Sequence, residues 1–218
     1  MEIIPGILEK DWLEIEKKIN LAKQFSKNIH IDVIDGKFAP NTTFLDPTSF
    51  TKYANPSTGS GLFFEAHLMV EEPIEYLKPF AEAGFRRFLG HVEKMSDQVE
   101  FVAQAQLLGE VGLVIDTPTP IEALEVPMDD LDCLLVMTVK AGFSGQEFMP
   151  EMLKKVKDLG SKTNIPIEID GGVSDITIPE GLKAGANRFV ATSFIFNPSA
   201  SSGPQNQYQV LCTCLQNH

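Results

Sequence analysis

Short apolar runs alternate along the chain with longer amphipathic segments, and each kind predicts an element. Runs at 3–8, 29–34, 62–70, 85–91, 111–115, 133–139, 165–169 and 188–191 read as strands. Segments 11–25, 73–83, 98–108, 150–159, 178–184 and 207–215 read as helices; in the first, Trp12, Ile15, Ile19 and Phe25 form the apolar stripe. Shorter helical pieces are expected at 49–53 and 121–124. The tract Asn-Pro-Ser-Thr-Gly-Ser-Gly at 55–61 reads as a surface loop, and 197–207, rich in Ser, Pro and Asn, as a loop before the last helix. Strand and helix units spaced by roughly 25–30 residues predict one domain over 1–218, an α/β chain folded as a (β/α)8 TIM barrel. The rival is an open doubly wound sheet, but no dinucleotide glycine fingerprint follows the first strand.

One predicted strand departs from the apolar pattern. Residues 29–36 read Ile-His-Ile-Asp-Val-Ile-Asp-Gly, so His30 and Asp32 are two residues apart and share one face. Burying an ionisable pair costs several kcal/mol unless charges are matched or a metal binds. A barrel keeps its chemistry at the carboxyl ends of its strands. The other polar residues fall there: Glu65, His67 and Met69 on the third strand, His91 on the fourth, Met137 and Thr138 on the sixth, and Glu168 and Asp170 on the seventh. Of the four histidines, three end predicted strands, and the fourth, His218, closes the chain. This convergence on one rim argues for a site holding a metal and a catalytic carboxylate.

Composition narrows the partners. The chain has 218 residues, 43% of them hydrophobic and 22% charged, which is ordinary for a globular protein. A formal charge of −12 argues against nucleic acid or an acidic membrane surface as the main partner. An anionic substrate would need local help from backbone N–H groups, helix ends or a cation. No apolar run reaches the length of about 18 residues that a membrane span needs, and the first residues lack a signal peptide's pattern. Cys133, Cys212 and Cys214 are too few and too unevenly spaced for a disulfide framework or a zinc site, so the expected compartment is the cytoplasm.

Five stretches carry a family resemblance. They are His-Ile-Asp-Val-Ile-Asp-Gly at 30–36, His-Leu-Met-Val at 67–70, Met-Thr-Val-Lys-Ala-Gly-Phe-Ser-Gly-Gln at 137–146, Glu-Ile-Asp-Gly-Gly-Val at 168–173 and Ala-Gly-Ala-Asn-Arg-Phe-Val-Ala at 184–191. In that order and on those strands, the chain resembles the ribulose-phosphate 3-epimerases over residues 4–196. The resemblance implies interconversion of D-ribulose 5-phosphate and D-xylulose 5-phosphate by 1,1-proton transfer through a metal-stabilised enediolate. It implies one divalent ion held by His30, Asp32, His67 and Asp170, for which Zn2+, Fe2+ and Mn2+ are all suited. Asp32 and Asp170 would be the acid and base on opposite faces of the substrate. Among substrate contacts it implies His67, Met69 and Met137 beside the reacting carbons, His91, a lid at Gly142, Phe143, Ser144 and Gly145, and a phosphate cradle at Gly171, Gly172, Thr192 and Ser193. Simple packing is the competing reading for Met69, Met137 and His91. Members of the family are often dimers or higher assemblies, which leaves a homo-oligomer open.

Some positions depart from the family pattern. Glu9 stands where a substrate-touching serine is usual, Ile34 replaces a methionine, Ala141 a proline, Ser144 a glycine, and Thr192 the glycine of a phosphate-binding pair. If Glu9 points inward it would repel an anion, and if position 192 needs φ > 0 threonine would be strained by about 1–3 kcal/mol. These changes keep two alternatives open: an epimerase for another ketose phosphate, such as a hexulose 6-phosphate, and a non-catalytic metal- or ligand-binding paralogue. Lyase and decarboxylase chemistry on related barrels uses an aspartate–lysine array, and Lys140 is the one lysine at a predicted strand end.

Overall fold

Eight parallel strands close on themselves in sequence order: β1 (Glu2–Ile7), β2 (Asn28–Ile34), β3 (Phe63–Met69), β4 (Phe85–His91), β5 (Glu110–Ile115), β6 (Cys133–Met137), β7 (Ile167–Asp170) and β8 (Arg188–Ala191), with β8 paired back onto β1. This computed structural model describes residues 1–54, 61–197 and 199–216. The loop expected over 55–61 and the terminal His218 fall almost wholly outside the described residues. Seven α-helices surround the barrel: α1 (Trp12–Ala22), α2 (Thr51–Ala54), α3 (Ile74–Glu82), α4 (Gln98–Gln106), α5 (Leu153–Gly160), α6 (Ile178–Ala184) and α7 (Gly203–Gln216), counted among the described residues.

Three expectations need correction. The segment between β5 and β6 forms only 3-10 turns, Ile121–Ala123 and Met128–Asp130, because Pro120 and Pro127 interrupt it. Strand β7 runs through Asp170 rather than stopping at 169, which makes that carboxylate the last residue of the ladder, opposite Met137 and Val190. The last helix starts at Gly203, so residues 203–206, expected in a loop, are helical.

Alternation along the strands separates two apolar layers. Outward-facing residues such as Ile31, Val33, Phe64 and Phe88 pack against the helices, while Ile34, Met69, Leu89, Val114, Leu135 and Met137 form a smaller cluster inside the barrel. The ladder between β3 and β4 slips at Phe64/Glu65, so that Phe64 pairs with Phe85 but Glu65 pairs with Arg87. This irregularity leaves Arg86 exposed, sends Phe85 out to the helices and turns Arg87 into the barrel. Phe85 there meets Phe50, Phe64 and Phe80 with ring centroids 5.1, 5.3 and 4.9 Å away.

Truncating that outer cluster tests the layer without touching the interior. Phe85→Ala is expected to cost about 3–5 kcal/mol in urea unfolding, because a ring only 1% exposed leaves a cavity among other rings. A loss below about 1 kcal/mol would show that the helix layer closes up over the gap.

Candidate active site

The barrel interior at the carboxyl end holds charged side chains where a barrel of this kind normally stacks aliphatic ones. Register sets them side by side: Asp32 lies opposite His67 and His30 opposite Glu65 across β2 and β3. His30 and His67 are fully buried, Asp32 is 4% exposed and Asp170 9%. One donor atom from each of His30, Asp32, His67 and Asp170 lies within 4.8 Å of the other three. Asp32 Oδ1 is 2.9 Å from His67 Nδ1 and 3.4 Å from His30 Nε2. Asp170 Oδ2 is 3.4 Å from His67 Nδ1 and 3.9 Å from His30 Nε2. His30 Nε2 is buried yet has no hydrogen-bond partner. A buried nitrogen aimed at two carboxylates and left unpaired is a group with room for a further ligand.

The local electrostatics follow from this crowding. Burial alone would lower the pKa of His30, but the surrounding carboxylates of Asp32, Glu168 and Glu65 overcome it and hold the imidazole well above its ordinary value. His67 is raised in the same way, burial being outweighed by Asp170 and Asp32. For Asp32, burial is outweighed by the adjacent imidazoles of His30 and His67, which keep the carboxyl below the usual range. His91 goes the other way: burial lowers it, and its bond to Glu93 only partly compensates.

Above this cluster lies a cavity at the barrel mouth. Asp32, Met69, Met137, Gly142, Phe143, Ser144, Gly145, Asp170, Gly171, Gly172, Thr192 and Ser193 all line it, so twelve of the expected residues meet in one place. His30 and His67 are beneath its floor. His91 is fully buried behind His67, 2.9 Å away between the two Nε2 atoms, with its ring within 19° of the His67 plane, edge to edge, and covered by Phe38. It does not line the cavity, contrary to its expected place among the substrate contacts. Glu9 is also not in this cavity: its Oε1 accepts a 2.6 Å hydrogen bond from Lys18 Nζ on α1, and Leu8 lines the mouth instead. The repulsion an inward Glu9 would have caused does not arise.

The loop after β6 forms one wall, with Gly142 at φ 112° and Gly145 at φ 78°. Asn41 Nδ2 donates to the Gly142 carbonyl, and Gln146 Nε2 donates to the carbonyls of Lys140 and Phe143. Phe143 at its tip is 48% exposed. On the opposite wall, Thr138 Oγ1 donates to the carbonyls of Asp170 and Gly171, which fixes the end of β7. Gly171 (φ 115°) and Gly172 (φ 65°) need to be glycine, since a Cβ would lie 2.4 Å from Val139 and 2.8 Å from Phe148 respectively. Neither is at the first turn of a regular helix; α6 begins only at Ile178. Thr192 avoids the strain considered above, because the one non-glycine residue at positive φ among those described is Glu72. Its hydroxyl instead fills space left by Gly6, where a Cβ would lie 2.2 Å from Thr192 Oγ1.

Sequence reasoning gave no role to the layer beneath the histidines. Glu65 and Glu168, both fully buried, lie between His30 and two arginines. Arg87 Nη1 and Arg188 Nη2 are 2.6 and 3.0 Å from Glu65 Oε2, and Arg188 Nε is 3.2 Å from Glu168 Oε2. The signal was present as alternation, with Glu65 two residues before His67 and Glu168 two before Asp170. Lys18 is another addition, a cation on the wall of an outer cavity that continues past Ser193 and Gly172.

Fold and site together define a class: a (β/α)8 barrel enzyme with a His/Asp cluster able to hold a metal under a cavity walled by glycine loops. Residues 2–196 match the ribulose-phosphate 3 epimerase family. The ribulose-phosphate 3-epimerase of Schizosaccharomyces pombe is 37% identical over 199 residues, which cover 90% of this chain and 87% of the relative. That of Bacillus subtilis is 35% identical over 207 residues, covering 91% and 94%. The 3-keto-L-gulonate-6-phosphate decarboxylase structure from Vibrio cholerae shares the fold at a TM-score of 0.72 with 12% identity, covering 99% of this chain and 97% of that one. The chain belongs to the ribulose-phosphate 3-epimerase family, and it is an isomerase of the epimerase type acting in carbohydrate metabolism. No helix among the described residues is long and apolar enough to cross a membrane.

The glycines of the two walls give a paired test. Gly171→Ala is expected to cost more than the roughly 1–3 kcal/mol of backbone strain, because Val139 must also move. Gly145→Ala, with nothing within 4 Å of its added methyl, should show the backbone component alone. Equal unfolding midpoints in urea for the two variants would refute the steric account of Gly171.

Proposed function

We propose that the protein interconverts D-ribulose 5-phosphate and D-xylulose 5-phosphate, with one divalent metal ion held by His30, Asp32, His67 and Asp170. The observation that carries this reading is that Asp32 and Asp170 enter the same glycine-walled cavity while sharing contacts with both histidines. The residues fit such an ion: two nitrogens and two carboxylate oxygens converge, and His30 Nε2 is unpartnered. Mixed N/O donors suit Zn2+, Fe2+ or Mn2+. When bound, the ion supplies Lewis-acid stabilisation of the charge that develops on the substrate oxygens.

The chain's own residues do the rest. One aspartate, ionised, takes the proton from C3, and the electron pair moves toward the C2 carbonyl. The other aspartate, protonated, returns a proton to the opposite face of C3 as the carbonyl reforms, and the two exchange roles with direction. Met69 and Met137 give the reacting carbons an apolar, polarisable wall that keeps water from donating a proton to the wrong face. Backbone N–H groups around Gly171, Gly172, Thr192 and Ser193 receive the phosphate, which supports dianion binding by a chain of net charge −12. The loop 142–145 covers the bound sugar. The three cysteines are all free, in keeping with the cytoplasm as its compartment.

Incubation of the metal-loaded protein with ribulose 5-phosphate in deuterated water decides the matter. Deuterium at C3 with formation of xylulose 5-phosphate is the expected result. Exchange confined to a hexulose 6-phosphate would move the assignment to another ketose phosphate, and no exchange with any ketose phosphate would leave a non-catalytic paralogue. Asp32→Asn and Asp170→Asn should each lower turnover by at least about 10²–10⁴-fold; near-normal activity in either would sink the two-aspartate mechanism. Ion binding should also release protons. Titration calorimetry below the pKa of the two histidines, in buffers of different ionisation enthalpy, is expected to show close to two protons displaced per ion. Binding without proton release would exclude His30 and His67 as ligands.

A further inference from the structure

The two histidines under the cavity present opposite ring nitrogens to it. His30 turns Nε2 toward Asp32 and Asp170, whereas His67 turns Nδ1 toward the same pair. In each ring the other nitrogen is engaged by the protein. His30 Nδ1 lies 2.7 Å from Glu65 Oε1. His67 Nε2 lies 2.9 Å from His91 Nε2, and His91 Nδ1 lies 3.1 Å from Glu93 Oε2. Both lines therefore end in a carboxylate, which accepts hydrogen bonds and, when ionised, donates none.

Neither carboxylate is free to swing. Glu65 Oε2 accepts from Arg87 Nη1 at 2.6 Å and Arg188 Nη2 at 3.0 Å, so its Oε1 is left facing His30. Those guanidiniums come from β4 and β8, and Arg87 reaches inward because of the ladder slip beside Glu65. Glu93 Oε1 accepts the backbone N–H of Asp116 at 2.8 Å, so its Oε2 is left facing His91. Once both histidines are neutral, as ligation of a divalent ion requires, the hydrogen positions follow from these acceptors. His30 carries its proton on Nδ1 and offers the Nε2 lone pair to the cluster. His91 donates through Nδ1 to Glu93, its Nε2 accepts from His67 Nε2, and His67 is left with the Nδ1 lone pair facing Asp32 and Asp170.

We propose that Glu65, and Glu93 acting through His91, are positioning residues that fix opposite tautomers of His30 and His67, so that each ring presents a lone pair to the divalent ion. This rests on the metal reading of the preceding section. Arg87 and Arg188 serve it by holding Glu65 in place and balancing its charge. The isolated position of His91, buried and outside the cavity, is then explained: it passes the orientation set by Glu93 on to His67.

The test measures Zn2+ affinity by competition with a chromogenic chelator, together with long-range 1H–15N correlation of the histidine rings in the Zn2+-loaded protein. Wild type is expected to show His30 protonated on Nδ1 and His67 and His91 protonated on Nε2 and Nδ1 respectively. Glu65→Gln and Glu93→Gln should each weaken Zn2+ binding by about 10–100-fold, with altered ring-nitrogen shifts for the histidine concerned. A merely structural role would lower the thermal midpoint of the metal-free protein but leave the affinity and ring shifts of the folded protein unchanged. That result, or the reverse tautomers in wild type, would overturn the proposal. Should Glu65→Gln fail to fold, Glu93→Gln decides, since the Glu93 side chain is 20% exposed and outside the ionic layer. Zn2+ binding that is equally tight in wild type and His67→Asn would instead mean that the metal reading itself has failed.

Discussion

Charge buried inside a closed sheet is the constraint from which the rest of this structure follows. Nine ionisable side chains from β2, β3, β4, β7 and β8 are buried: His30, Asp32, Glu65, His67, Arg87, His91, Glu168, Asp170 and Arg188. Apart from His91, which meets Glu93 just beyond its own strand, they find their counter-charges on other strands. Breaking such a pair by deleting one partner typically costs about 3–5 kcal/mol, because the remaining charge is stranded. Exact strand register is therefore required, as a slip of one residue would exchange this layer for the aliphatic outer face. The irregularity between β3 and β4 is the place where the register is adjusted so that Arg87 meets Glu65.

This arrangement divides the interior into levels with different tasks. The deepest holds Glu65, Glu168, Arg87 and Arg188, whose ion pairs form the base. Above it His30 and His67 are aimed by that base and by His91. At the top Asp32 and Asp170 reach the cavity, walled on one side by glycines that no side chain could replace and on the other by a loop with two glycines at positive φ. An ion-paired base below and glycine turns above would suit the proposed reaction, in which two carboxylates hold their places while a substrate enters and leaves.

Much of this was legible in the sequence, and the illegible parts have physical reasons. The barrel and the convergence of polar side chains on one rim could be read because polar residues at strand ends interrupt an apolar alternation, whereas the particular set His30, Asp32, His67 and Asp170 came from the resemblance to the family. The β5–β6 connection was misread as helical at 121–124 since two prolines reduce a short apolar stripe to single turns. Glu9 could have been placed by parity: Gly6 and Leu8 face inward, so residue 9 faces α1, where Lys18 meets it. Glu65, Glu168, Arg87 and Arg188 could be seen to point inward, but alternation names a face and not a partner. Which arginine meets which glutamate depends on the closure of β8 onto β1 and on the β3–β4 slip, both of them long-range features.

The charge balance of the upper levels explains how one interior accommodates a strongly charged ligand set. Asp32 and Asp170 add negative charge just above Glu65, and the two arginines below are already engaged. Both histidines respond by binding protons more tightly than usual, His30 beside the carboxylates of Asp32, Glu168 and Glu65 and His67 beside those of Asp170 and Asp32, in each case against the effect of burial. Two imidazolium protons and one divalent ion carry the same charge. Exchanging one for the other would leave the sum inside the barrel unchanged, so the ionic base would not need to rearrange if the cluster took up an ion. The cost of burying such an ion would then be largely met by interactions the protonated histidines already make, and the level left to differ is the cavity above.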